Sequence, residues 1–264
     1  MTQSATTRSP IRSNTSQWVG MPYELGNLPG ARASIGLITL DCDLTIEPEL
    51  WVYLPKDGVA LYSNRIPMAK DATVETLRDM EDKITETAQL LPTEYLDVIA
   101  FGCTSGTMAI GEATVSEHIR KAKPGICCSD PITASIKGLK VLGCQRIALL
   151  TPYIDEVNAV VENYVTNHGF DIAAKGSFKV RASEEMCMIS PQAIYAAAYE
   201  LGQADVDAVF ISCTGLRASS VIAPLEQALG KPVVASNQAL SWDCLRLAGY
   251  KDKVEGYGRL LRDC

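Results

Sequence analysis

Strands alternating with helices of about 10–15 residues, run through twice, predict an α/β protein of two pseudo-symmetric domains, each a parallel sheet flanked by helices. Two observations carry this expectation. Asp97–Gly102 (DVIAFG) runs into Cys103-Thr104-Ser105-Gly106, and Asp207–Ser212 (DAVFIS) runs into Cys213-Thr214-Gly215-Leu216-Arg217. The surroundings echo as well: Ile35–Leu40 resembles Ile147–Pro152, and Lys123-Pro124 with Ser129-Asp130 resembles Lys231-Pro232 with Ser236-Asn237. The offsets are 112 (Ile35 to Ile147), 110 (Cys103 to Cys213) and 108 (Lys123 to Lys231), so a unit of half the chain recurs with small insertions or deletions. Parallel sheets gather ligands outside the carboxyl ends of their strands, where both Cys-Thr motifs fall. An active site in the interdomain cleft is therefore expected.

Each element has its own signal. Ile35–Leu40 is the first strand, followed by the acidic turn Asp41-Cys42-Asp43 and a helix start at Thr45-Ile46-Glu47-Pro48-Glu49. Gly58–Ile66 alternates and is β-rich. Val74, Leu77, Ile84 and Ala88 share one face of a single amphipathic helix running from about Asp71 to Leu90. After the strand into Cys103, a helix resumes over Gly111–Lys121. Pro124–Cys128 reads as a short buried strand, and Ile132–Leu142 as a helix opened by Ser129-Asp130-Pro131 and closed by Gly143. The cycle restarts at Arg146. Helices follow at Ile154–Asn167, Pro191–Leu201, Ser219–Leu229 and Gln238–Leu247, with strands opening at Phe170 and spanning Val206–Ser212 and Val233–Ala235. The last helices lie beyond the second repeat and are expected to cross back. The domains are then 31–143 with 238–264, and 144–237. Residues 1–30, rich in Ser, Thr, Pro and Asn, form a flexible tail or an arm on a partner subunit.

Composition excludes several classes. The 264 residues suffice for two cores, and 47% apolar with 21% charged residues is ordinary for a globular chain. A net charge of −7 without a basic run argues against nucleic acid. No apolar run of about 18 residues spans a membrane, and the N-terminus lacks the apolar core of about 7–15 residues of a secretory leader. Nine cysteines without a Cys-x-x-Cys pair suggest free thiols in a reducing cytoplasm. The expected partners are a small carboxylate or amino-acid substrate and further copies of the chain, as a dimer or higher homo-oligomer.

The candidate chemistry rests on Cys103 and Cys213. A lone buried cysteine behaves as a small hydrophobe. Cys103, however, precedes a turn rich in hydroxyls and free amides, which can lower a thiol's pKa and bind a carboxylate. A second cysteine in the matching position makes coincidence a poor explanation. Cys42, Cys127, Cys128, Cys144, Cys187, Cys244 and Cys264 lack that setting and read as core or surface filler. His118 and His168 sit in a polar helix and at a helix end, with no zinc-ligand spacing. Neither a G-x-G-x-x-G turn nor a phosphate-binding G-x-x-x-x-G-K-[ST] loop is present, so neither metal nor cofactor is expected. Three residues keep two readings each. Tyr153 is a packing ring or a phenol donor to a carboxylate, Asp43 (like Asp41) a helix cap or a substrate contact, and Arg217 a solvated residue or a carboxylate fork.

Leu40-Asp41-Cys42-Asp43-Leu44-Thr45-Ile46-Glu47-Pro48-Glu49, Cys103-Thr104-Ser105-Gly106, Thr151-Pro152-Tyr153 and Cys213-Thr214-Gly215-Leu216-Arg217 together resemble the aspartate/glutamate racemase superfamily. The nearer branch is that of maleate isomerases, arylmalonate decarboxylases and ectoine-utilisation protein A, and the likeness extends from Ile35 to the C-terminus. The stretch from Asp43 to Glu49 is most similar to the ectoine-utilisation proteins. The resemblance implies a cofactor-independent isomerase or racemase, with Cys103 and Cys213 as paired thiols. Thr104, Ser105, Tyr153 and the Thr214 amide would cradle a substrate carboxylate, with Asp43 and Gly215 beside it. There are departures from the pattern. The decarboxylases lack the first cysteine, and the maleate isomerases carry Asn where Asp43 stands. A carboxylate there would disfavour a second substrate carboxylate and welcome an ammonium group. The Asn that follows the isomerases' Tyr strand has no match near Ala182-Ser183-Glu184, and amino-acid racemases place Glu where Gly215 stands. Maleate-type cis–trans isomerisation by covalent cysteine addition, arylmalonate-type decarboxylation and non-catalytic binding of a small carboxylate stay open as alternatives.

Overall fold

The computed structural model describes Trp18, residues 20–92 and residues 94–264. Most of the expected tail, residues 1–17 and 19, lies outside the described residues, and residues 20–28 carry no helix or strand. Strands β1 (Ala33–Leu40), β2 (Val59–Ile66), β3 (Val98–Gly102) and β4 (Cys127–Ser129) form one sheet in the order β2-β1-β3-β4. Strands β5 (Arg146–Thr151), β6 (Asp171–Ser177), β7 (Ala208–Ile211) and β8 (Val233–Ala235) form a second in the order β6-β5-β7-β8. Every pairing is parallel. Even the register repeats: Ile35 stands opposite Val98, and Ile147 opposite Ala208.

Twelve helices cover the sheets among the described residues. The first half holds α1 (Ile46–Tyr53), α2 (Val74–Arg78), α3 (Ile84–Gln89), α4 (Thr104–Ile110), α5 (Glu112–Ala122) and α6 (Pro131–Val141). Then come α7 (Asp155–Asn167), α8 (Ser183–Met188), α9 (Pro191–Gly202), α10 (Ile222–Leu229), α11 (Ser236–Leu247) and α12 (Arg259–Asp263). Helix α11 leaves the second sheet and packs on α6 and α1 of the first half. No helix is long and apolar enough to cross a membrane among the described residues.

The repeated residues do repeated work. Asp97 accepts the N–H of Ser34 at 2.8 Å, and Asp207 accepts those of Gln145 and Arg146 at 2.9 and 2.8 Å, each carboxylate pinning the start of the neighbouring strand. Lys123 donates to the carbonyls of Gln89 and Leu91 at the end of α3, and Lys231 to those of Gly202 and Ala204 at the end of α9. A cation at a helix C-terminus satisfies carbonyls that the helix leaves free.

Several expected elements come out differently. The single helix from Asp71 to Leu90 is two helices, α2 and α3, joined by a 3₁₀ turn at Glu81–Lys83. Leu77, Met80, Ile84 and Ala88 stay buried through the break, so the apolar period survives a change of helix type. The turn expected after Cys103 is the first turn of α4. Helix α10 starts at Ile222 rather than Ser219, the strand expected at Pro124–Cys128 is Cys127–Ser129, and α11 starts two residues early, at Ser236. The short helices α8 and α12 have no sequence signal.

Candidate active site

Cys103 leaves β3 in an extended conformation (φ −143°, ψ 109°) and caps α4 with its sulfur, which accepts the Gly106 N–H at 3.2 Å. Glycine at 106 leaves room for the sulfur. A Cβ there would meet the Cys103 Sγ at 2.8 Å and the Met80 Cε at 2.7 Å. In the second half, Cys213 Sγ accepts the Gly215 N–H at 3.3 Å, within a turn instead of a helix. Each sulfur thus receives one backbone N–H, and the halves diverge beyond it, one into a helix and the other into a turn.

The turn after Cys213 is fastened from both halves. Thr45 Oγ1 donates to the Gly215 carbonyl at 3.1 Å, and Asn237 Nδ2 donates to that of Thr214 at 2.8 Å. Buried Glu49 on α1 accepts the N–H groups of Ala218 and Ser219 at 3.1 and 3.0 Å, the Ser219 hydroxyl at 2.5 Å and the Tyr53 hydroxyl at 3.0 Å. Ser236, at the first turn of α11, accepts the Cys213 N–H at 3.0 Å and the Thr104 hydroxyl at 3.1 Å. Glu49 and Ser236 are not among the expected site residues. Both belong to motifs of the sequence, and Ser236 is the repeat partner of Ser129, but sequence alone gives no reason to aim either at the cysteines.

One small cavity of about 30 Å³ brings together Asp43, Cys103, Thr104, Ser105, Tyr153, Cys213, Thr214 and Gly215. Leu40, Met68, Leu77 and Met186 supply apolar wall. Two loops roof it. Ala72 N–H donates to the Arg181 carbonyl and Ser183 N–H to the Lys70 carbonyl, both at 3.1 Å, making an antiparallel bridge at Asp71 and Ala182. Cys42 and Cys187, expected to be filler, also line this cavity, because the turn after β1 and the roof helix α8 carry them there. Asp43 is both helix cap and cavity wall: Oδ1 accepts the N–H groups of Thr45 and Ile46 at 2.8 and 2.9 Å, while the residue lines the cavity. Asp41 instead accepts the Met68 N–H at 3.1 Å. Arg217 donates to the carbonyls of Met188 and Ile189 and is absent from the cavity wall. His118 lies between Thr85 and Glu81, and His168 stacks on Tyr164.

Burial dominates the electrostatics. It pushes the Cys103 thiol up to about 12 and also raises the Cys213 thiol, outweighing the Gly106 N–H at Cys103 and the Tyr153 hydroxyl and Gly215 N–H at Cys213, which favour the thiolates; nearby Asp43 raises both further. The lowering expected from the turn is therefore overruled by desolvation. Burial also raises Asp43 against its two N–H bonds, and raises Tyr153, with Cys213 alongside adding to the rise. The buried Tyr153 hydroxyl faces the Cys213 thiol and the Ser105 hydroxyl in the cavity wall without a well-formed hydrogen bond to either. A buried phenol normally finds one, so this group is ready for a ligand's oxygen. Among the described residues no Lys, Arg or His lines the cavity. Arg65 is engaged with the carbonyls of Leu40, Asp41 and Asp43 and with Glu47. Among the described residues no group of three or more His, Cys, Asp or Glu is gathered to hold a metal.

The family described as arylmalonate decarboxylase matches residues 46–261. The arylmalonate decarboxylase of Bordetella bronchiseptica is 30% identical over 218 residues, covering 78% of this chain and 90% of that protein. The maleate isomerase of Nocardia farcinica is 28% identical over 242 residues, covering 86% and 95%. A solved structure of a Nocardia farcinica maleate cis–trans isomerase mutant, carrying a covalently bound succinylcysteine intermediate, superposes with a TM-score of 0.80 at 26% identity, covering 88% of this chain and 99% of that one.

Proposed function

The chain belongs to the arylmalonate decarboxylase family, and from that premise we infer that it is a cofactor-independent isomerase or racemase of a small carboxylate, acting through Cys103 and Cys213. The observation that carries this reading is the pair of thiols. They come from equivalent strand ends of two repeated halves, line one cavity, and each accept one backbone N–H. In this reading one cysteine, as thiolate, removes the proton from one face of the α-carbon, and the other, as thiol, delivers a proton to the opposite face. The substrate carboxylate lies among the hydroxyls of Thr104, Ser105 and Tyr153 and the Thr214 N–H, which stabilise the enediolate as its charge develops. Asp43 and the lack of a lining cation favour a substrate with a single carboxylate and an ammonium or neutral group at its other end. Burial is the main cause of the raised thiols, and an ammonium beside Asp43 would offset the smaller part that the Asp43 charge adds. The two-domain division expected above, 31–143 with 238–264 and 144–237, belongs to the same reading.

A second reading, covalent addition of a cysteine to an alkene followed by rotation of the C–C bond, is favoured by the succinylcysteine intermediate of the Nocardia relative. Proton NMR in D₂O separates the two. Aspartate, glutamate and N-acetylated diaminobutyrate, in both configurations, and maleate are incubated with the enzyme. Loss of an α-proton signal supports two-base proton transfer, and appearance of fumarate supports addition. Cys103→Ser and Cys213→Ser are each expected to abolish turnover; a double variant that retained it would end both readings.

A further inference from the structure

Ser236 stands outside the cavity wall, yet its buried hydroxyl touches both halves of the candidate site. It accepts the backbone N–H of Cys213 at 3.0 Å and the Thr104 hydroxyl at 3.1 Å, across 23 and 132 residues of chain. A serine oxygen has two lone pairs and one hydrogen. With both lone pairs occupied and Thr104 as donor, the Ser236 hydrogen finds no acceptor among the described residues. A carboxylate at Thr104 resolves this. Thr104 then donates to the carboxylate, its oxygen is freed to accept, and Ser236 donates to it.

We propose that Ser236 is a positioning residue that links the carboxylate-binding hydroxyl of Thr104 to the backbone of Cys213. The chain of bonds reads Cys213 N–H to Ser236 Oγ–H to Thr104 Oγ–H to substrate carboxylate. Every hydroxyl in it donates once, and bonds in such chains polarise one another. Occupying the carboxylate cradle on the first half thereby strengthens the bond that fixes the thiol-bearing turn on the second. The Tyr153 hydroxyl also faces both Cys-Thr motifs, at Ser105 and the Cys213 thiol, but Ser236 reaches the backbone of Cys213. The proposal rests on the reading that Thr104 holds a substrate carboxylate.

A double-mutant cycle on kcat/KM, using the substrate found by NMR, tests it with Thr104→Val, Ser236→Ala and the pair. Each single change is expected to cost about 10- to 100-fold, and the double no more than about threefold beyond the worse single, because either break interrupts the whole chain. Ser236→Thr, which keeps the hydroxyl, is expected to stay within about fivefold of wild type; this control stands if Ser236→Ala folds poorly. Selective ¹⁵N-cysteine labelling supplies a readout that a purely structural role would not move. The Cys213 amide resonance, assigned by its loss in Cys213→Ser, should shift when acetate is titrated into wild type and stay still in Ser236→Ala. Additive costs, or an amide that shifts equally in both proteins, would overturn the proposal. A Thr104→Val enzyme with unchanged kcat/KM would instead overturn the underlying reading of the carboxylate cradle.

Discussion

Replacing Gly106 by alanine puts one methyl against the Cys103 sulfur, and the structure says how far the sulfur must go. The new Cβ would lie 2.8 Å from Sγ and 2.7 Å from the Met80 Cε. Comfortable contacts are about 3.5–4.0 Å, so the sulfur has to retreat by about 1 Å. Met80 is only 1% exposed and cannot swing into solvent to make room. Overpacking costs about 1–3 kcal/mol, while alanine returns up to about 1 kcal/mol of helix propensity in α4. Urea denaturation should therefore report a loss of about 0–2 kcal/mol, and a folded protein. Catalysis should suffer more, since a reacting group misplaced by about 1 Å costs about 100-fold, or about 2.7 kcal/mol of barrier. Gly215→Ala is the control: its Cβ would meet nothing closer than 3.4 Å, and turnover should fall less than about tenfold. Near-wild-type turnover in Gly106→Ala, or an equal loss in both variants, would refute the claim that the glycine exists to seat the Cys103 sulfur.

Three further outcomes are expected. Because burial holds both thiols above their ordinary range, with Cys103 at about 12, the thiolate grows with pH, and kcat/KM should climb about tenfold per unit from pH 7 to 9; a plateau in that window refutes it. Burial raises the N-cap carboxyl of Asp130 to about 6, so its contribution to stability is full below about pH 4 and lost as pH rises through 6. Asp130→Asn keeps an acceptor for the Ile132 and Thr133 N–H groups and should stabilise the fold by about 1–2 kcal/mol at pH 8 and by nothing at pH 4, as read by thermal unfolding; destabilisation at pH 8 would contradict this. Glu49→Gln places an amide among donors that now share a carboxylate, and should cost about 2 kcal/mol in urea denaturation with at least a tenfold drop in turnover, whereas an unchanged midpoint would show that Glu49 does not hold the turn.

The legible part of the fold is the part that a local pattern can encode. The strands into Cys103 and Cys213 are readable because an apolar run ending in Cys-Thr occurs twice at nearly constant offset, and alternation of strands with helices is enough to imply parallel sheets. The break between α2 and α3 is hidden because Leu77, Met80, Ile84 and Ala88 keep their spacing across a 3₁₀ turn. Thr104-Ser105-Gly106-Thr107 has weak helix propensity and reads as a turn, yet packing makes it helical. Cys42 sits beside Asp43, already a candidate contact, whereas Cys187 enters the cavity through tertiary placement, which no neighbouring residue announces. The same holds for Ser236, whose two partners are remote in sequence.

That remoteness sets an order of assembly during synthesis. The chain between Thr104 and Ser236, 132 residues of it, takes about 7–26 seconds to make at 5–20 residues per second. Until α11 emerges, the first cysteine turn waits without the hydroxyl that ties it to the second, and without the opposite wall that buries it. A thiol in water keeps its ordinary acidity and reacts readily with oxidants and electrophiles. The arrival of Cys213 and then of α11 thus joins the two cysteine turns and ends the period in which Cys103 is chemically vulnerable.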